Sequence, residues 1–65
     1  MTREQEQRTG KGARVIYRGF PMVVESVATR LAVGLPRVFD LAWPERPDHA
    51  VYRGVLARFV RRAEP

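Results

Sequence analysis

Residues 1–13 hold no large apolar side chain after Met1 and close on Gly10 and Gly12. Such a stretch cannot offset the entropy lost on ordering and reads as a mobile arm. From Arg14 the pattern changes. Arg14 to Arg18 alternates as a short strand would, with Val15 and Tyr17 on one face and Arg14, Ile16 and Arg18 on the other, before Gly19 and Pro21 punctuate a turn. A helical turn is the alternative here, and Met22 to Glu25 suit either a hairpin return or the first turn of a following helix.

Between Pro21 and Gly34 the apolar residues Val23, Val24, Val27, Ala28, Leu31 and Ala32 recur at helical spacing. The spacing predicts a helix, against the few tenths of a kcal/mol that each β-branched residue (Val23, Val24, Val27, Thr29, Val33) costs relative to Ala. Leu35 to Trp43 predicts a second short helix with Pro36 in its first turn and Pro44 ending it. Val51, Tyr52, Val55, Leu56, Phe59 and Val60 then predict an amphipathic helix from about Asp48 to about Arg62, capped by Asp48 and closed by Arg61 and Arg62. The tripeptide Tyr17-Arg18-Gly19 recurs as Tyr52-Arg53-Gly54. Its flanks do not match, and it reads as coincidence. The expected fold class is mainly α: a small three-helix domain over residues 14–65, with room for a short N-terminal strand or hairpin, behind a disordered basic arm at 1–13.

Composition narrows the chemistry. A chain of 65 residues without cysteine has one small core and no disulfide or thiolate site to support it. His49 is the single histidine and Ser26 the single serine, and no phosphate loop or spaced carboxylate pair is present. No catalytic residue, metal site or cofactor is expected. No apolar run approaches the ~20 residues of a membrane span, and the polar N-terminus lacks a signal peptide's apolar core. The expectation is a soluble, cytoplasmic protein.

The 12 Lys+Arg outnumber the 7 Asp+Glu by 5, and all but Lys11 are arginine. Arginine suits bidentate recognition of phosphate or carboxylate, while a GC-rich genome gives the same bias. Position carries more than the total. Arg3, Arg8, Lys11 and Arg14 against Glu4 and Glu6 make the first 14 residues basic; residues 15–45 balance to zero. Arg46, Arg53, Arg58, Arg61 and Arg62 against Asp48 and Glu64 make the end basic again.

Residues 25–43 resemble the helix-turn-helix of DNA-binding regulators. Ala28 stands where two helices approach closely, Val27 and Leu31 flank it, Ala32 to Gly34 form the turn, and Val38 and Leu41 point inward from the second helix. The resemblance implies a recognition helix presenting Leu35, Arg37 and Phe39 to the major groove of double-stranded DNA. Arg3, Arg8 and Lys11 would then follow a minor groove, and Arg53, Arg58, Arg61 and Arg62 would grip phosphates. It further implies a transcriptional regulator of the phage, plasmid or prophage kind, acting as a homodimer, with Val51, Tyr52, Val55, Leu56, Phe59 and Val60 as core cover or dimer seam. The competing expectation is a protein-binding adaptor or inhibitor docking through Leu35, Phe39 and Trp43. A third is a basic subunit of a nucleoprotein or viral assembly.

Overall fold

The computed structural model describes residues 2–28 and 37–63, Arg3 by its backbone alone. A short helix α1 (Arg3–Arg8) precedes strands β1 (Arg14–Tyr17), β2 (Phe20–Ala28), β3 (Val38–Ala42) and β4 (Ala50–Leu56); a 3₁₀ turn (Ala57–Phe59) leads into β5 (Val60–Arg62). The five strands form one antiparallel sheet in the order β4-β3-β2-β1-β5.

The expected three-helix domain is therefore not what the chain forms. Residues predicted as the first helix are β2 as far as Ala28, and Val38–Ala42 of the predicted second helix is β3. The predicted closing helix is β4, the 3₁₀ turn and β5. The helix-turn-helix resemblance falls with them, because its described parts are strands. Its expected turn, Ala32 to Gly34, lies with Leu31 and Leu35 in residues 29–36, outside the described residues.

Bulges explain why a sheet carries helical spacing. An unbroken strand turns every second residue inward, whereas each bulge inserts one extra residue and shifts the phase. In β2 the register shifts between Val24 and Ser26, so Met22, Val24 and Val27 all face the core. In β4 Arg53 and Gly54 lie against the single residue Asp40, so Tyr52 and Val55 face inward. The 3₁₀ turn shifts the phase again and brings in Ala57 and Val60. Inward steps of two and three residues alternate, and the apolar residues outside that row, Val23, Val51, Leu56 and Phe59, fill in the pairs that mimic helical spacing. The β-branched valines of β2 suit a pleated, half-buried surface better than a helix, and here they sit on one.

The inward face joins Val15, Met22, Val24, Phe39, Leu41, Val55, Ala57 and Val60 into the core. Phe39 lies at its centre, fully buried, opposite Val27 on β2 and Val55 on β4. Tyr17 on β1 meets Tyr52 on β4 edge-on, ring centres 5.2 Å apart, although β2 and β3 lie between those strands. The sheet must curl strongly for the two rings to meet, and that curl lets so short a chain enclose a core.

Asp40 holds the β3–β4 bulge. Its Oδ1 accepts the Gly54 N–H at 2.9 Å and its Oδ2 accepts the Ser26 hydroxyl at 3.0 Å, with Arg53 Nη1 at 3.6 Å. Gly54 sits at φ +68°, where a side chain is disfavoured, so the bulge needs glycine as well as the carboxylate. Asp40→Ala is expected to cost about 1–2 kcal/mol, since hydrogen bonds to a charged acceptor exceed neutral ones. Asp40→Asn, which keeps an acceptor, should cost less; urea-unfolding midpoints of the two variants check the order.

Within the stretch read as an arm, α1 is closed by a capping box. The Gln5 N–H donates to Thr2 Oγ1 at 3.1 Å and the Thr2 N–H donates to Gln5 Oε1 at 2.9 Å. Arg37 ties the helix to the sheet: its backbone N–H donates to Glu6 Oε1 at 2.8 Å. Its Nη1 donates to the carbonyl oxygens of Glu6 and Gln7, at 3.4 and 3.3 Å. A cation at the helix C-terminus also complements the dipole there.

Candidate functional site

The turn joining β1 to β2 is Tyr17-Arg18-Gly19-Phe20, with φ +52° at Arg18 and +83° at Gly19. Two successive positive φ values define the type I′ hairpin turn, which matches strand twist and favours Asn, Asp or Gly at its first central position. Arginine occupies that position instead, at a cost of roughly 1 kcal/mol. Its guanidinium stacks over the Tyr17 ring at 5.3 Å from the ring centre.

Beside this turn lies the 3₁₀ turn, where the Arg58 guanidinium stands 5.1 Å from the centre of the Phe59 ring. Arg61 on β5 lies opposite Ile16 on β1, on the outward face. Ile16, Arg18, Arg58, Phe59, Val60 and Arg61 together line an open cleft of about 260 Å³. No carboxylate is among its described lining residues. Ion pairs among the described residues join Arg8 to Glu4 and Arg53 to Asp40, so Arg14, Arg18, Arg58, Arg61 and Arg62 have no acidic partner there. Phe59 is 58% exposed, and Phe20, across the β1–β2 turn, is 51% exposed with its ring edge-on to Trp43 at 5.8 Å. Large exposed rings beside unpaired guanidinium groups are suited to planar, anionic ligands.

A second open cleft, of about 430 Å³, lies at the far end of the β1–β2 hairpin, between the end of α1 and β2. Among the described residues, Arg8, Lys11 and Arg37 supply its cations, and Gln7, Thr9, Gly10, Ser26 and Val27 line the rest.

The expected site residues are redistributed. Arg58 and Arg61 share the first cleft, and Arg8, Lys11 and Arg37 share the second. Arg37 is held against α1 rather than presented on a recognition helix. Phe39 is a core residue with no exposed surface. Arg53 stands beside Asp40, and Arg62, opposite Val15, belongs to the inward-facing row of β5 rather than to the outward row of Arg61. Leu35 and the Arg3 side chain lie outside the described residues. Of the apolar surface expected of Leu35, Phe39 and Trp43, Phe39 is buried, Trp43 is half-buried against the core, and Leu35 is not among the described residues. The expected seam also divides: Val55 and Val60 are buried, Tyr52 and Leu56 half-buried, and Val51 and Phe59 exposed. A strand with bulges turns neighbouring residues to opposite faces, where a helix would gather them into one stripe.

Arg18 belongs to the site without having been expected there. Its signal was the repeated tripeptide: in both copies the tyrosine packs on the core, the arginine is exposed, and the glycine takes positive φ. Among the described residues no group of His, Asp or Glu is placed to hold a metal ion, and no helix is long and apolar enough to cross a membrane. No family model, no curated protein and no solved structure matches this chain.

Proposed function

We propose that this chain is a cytoplasmic protein that binds single-stranded nucleic acid across the cleft between the β1–β2 turn and the 3₁₀ turn. The observation that carries this is the convergence of Arg18, Arg58 and Arg61 on one cleft, whose described lining holds no carboxylate, beside the exposed ring of Phe59. Three guanidinium groups supply phosphate contacts and the counterion-release term. The ring supplies a stacking platform, which any base fits by its flat face but only when the base is unpaired. The position of Arg18 supports the same use. An arginine held at positive φ, where Asn or Gly would relieve strain, is a local cost of the kind that accompanies binding sites. A basic subunit of a nucleoprotein fits this chemistry.

Titration of single-stranded and duplex oligonucleotides across a salt series tests the proposal. Single strands should bind more tightly, with log affinity falling linearly in log salt by about 0.7 per phosphate contacted. Phe59→Ala should weaken single-strand binding by about 1–3 kcal/mol and leave that slope unchanged, because stacking releases no counterions. Equal or tighter binding to duplex, or no binding at low salt, would overturn it.

A further inference from the structure

The second cleft has the chemistry of a phosphate site without the chemistry of a base platform. Arg8, Lys11 and Arg37 line it, and none of its described lining residues is a carboxylate. Arg8 is engaged by Glu4, but that pair is exposed on both sides, so it holds the guanidinium only weakly. Arg37 spends Nη1 on the α1 carbonyls, which fixes its side chain and leaves its other nitrogens without partners among the described residues. The backbone N–H groups of Gly10 and Lys11 likewise have no acceptor among the described residues. Both exposed phenylalanines, Phe20 and Phe59, lie at the opposite end of the hairpin.

Between the two clefts runs the outward row of β1. Arg14 and Ile16 share that row, Arg61 lies beside Ile16, and Arg18 stands at its end. The ladder continues beyond β1 toward Lys11, because the Gly12 N–H donates to the Val24 carbonyl at 2.8 Å and the Val24 N–H to the Ala13 carbonyl at 2.9 Å. At about 3.3 Å per residue, the stretch from Ala13 to Arg18 covers roughly 16 Å, with Lys11 in the turn that precedes it. That is about half of the molecule's 34 Å longest dimension. Cations therefore mark both ends and the middle of one extended edge of the hairpin.

We infer that the cleft between α1 and β2 is a second phosphate site for the same strand, so that bound nucleic acid runs along β1 from the β1–β2 turn to the turn between α1 and β1. This rests on the single-strand proposal above. Bases stack at the Phe59 end, and the backbone alone is held at the Lys11 end. The footprint is then at least about four nucleotides, the lower limit for small β-barrel binders.

A length series of oligothymidylates, followed by amide chemical shifts of the full chain and by affinity, tests this. A dinucleotide should move the amides of Arg18, Gly19 and Arg61 only, whereas an oligomer of about eight nucleotides should also move Gly10 and Lys11 and bind about tenfold tighter or more. Lys11→Gln should remove a several-fold part of that gain and leave dinucleotide affinity unchanged. Dinucleotide binding with no gain from length, or a gain that survives Lys11→Gln combined with Arg8→Gln, would overturn the second site alone. Gly10 and Lys11 amides that respond to inorganic phosphate but not to the long oligomer would also overturn it, by showing a site unconnected to the strand. Failure of both lengths to bind would take down the single-strand proposal, and this inference with it.

Discussion

Phe39→Ala is expected to leave the chain largely unfolded. Phe39 has no exposed surface and packs on β3, opposite Val27 of β2 on one side and Val55 of β4 on the other. Truncating a buried Phe costs about 3–5 kcal/mol, the loss of apolar transfer being compounded by the cavity left behind. A domain of this size is stable by roughly 3–10 kcal/mol in total. No disulfide makes up the difference. Circular dichroism and urea titration should show loss of the cooperative transition or a large fall in its midpoint. Phe59→Ala is the matched control: the same truncation at a ring 58% exposed should move the midpoint by less than about 0.5 kcal/mol equivalent. An unfolding midpoint for Phe39→Ala equal to the parent's would show that this ring is not at the centre of the core.

The second large effect is expected in binding. A chain carrying Arg18→Asn, Arg58→Ala and Arg61→Ala should lose about two units of the salt slope on single strands, at about 0.7 per phosphate contact. These substitutions spare the fold. Arg58 and Arg61 are exposed, and Asn at the first central position of a type I′ turn is better tolerated than Arg at φ +52°. Arg18→Asn alone should therefore hold or raise the unfolding midpoint while weakening binding. Opposite signs for stability and affinity at one residue would separate a binding role from a structural one. A triple variant with the parent's slope would place the contacts elsewhere on the molecule.

The pattern along the chain misled at particular residues, for a physical reason. Val23, Val24 and Val27 carry helical spacing, yet they belong to a strand whose bulge after Val24 puts a three-residue step between inward positions. Tyr52, Val55, Ala57 and Val60 do the same through the Gly54 bulge and the 3₁₀ turn. Periodicity alone cannot distinguish such a strand from a helix. Side-chain type can, since branching at Cβ favours the pleated sheet, and five β-branched residues in one predicted helix pointed that way. Two further signals were legible. Thr2 and Gln5 stand at capping-box spacing, and the repeated tripeptide marks two places where glycine takes positive φ after an exposed arginine.

By itself the sequence determined the quantities that do not depend on which residues meet. These are a single small core, the absence of thiol and disulfide chemistry, and an excess of basic residues concentrated toward both ends. The alternation of Arg14 to Arg18 also set which side of β1 faces inward, because a strand that short has no room for a bulge. Tertiary structure decided the rest. Whether Phe39 is a recognition residue or the core, and whether Arg37 is presented or held against α1, depends on partners twelve to thirty-one positions away. So does the meeting of Arg18 with Arg58 and Arg61, which are forty or more residues further along the chain and are brought together only when β5 pairs with β1. A bulge is defined by the strand across from it, so the face each side chain takes is a property of the pairing before it is a property of the chain.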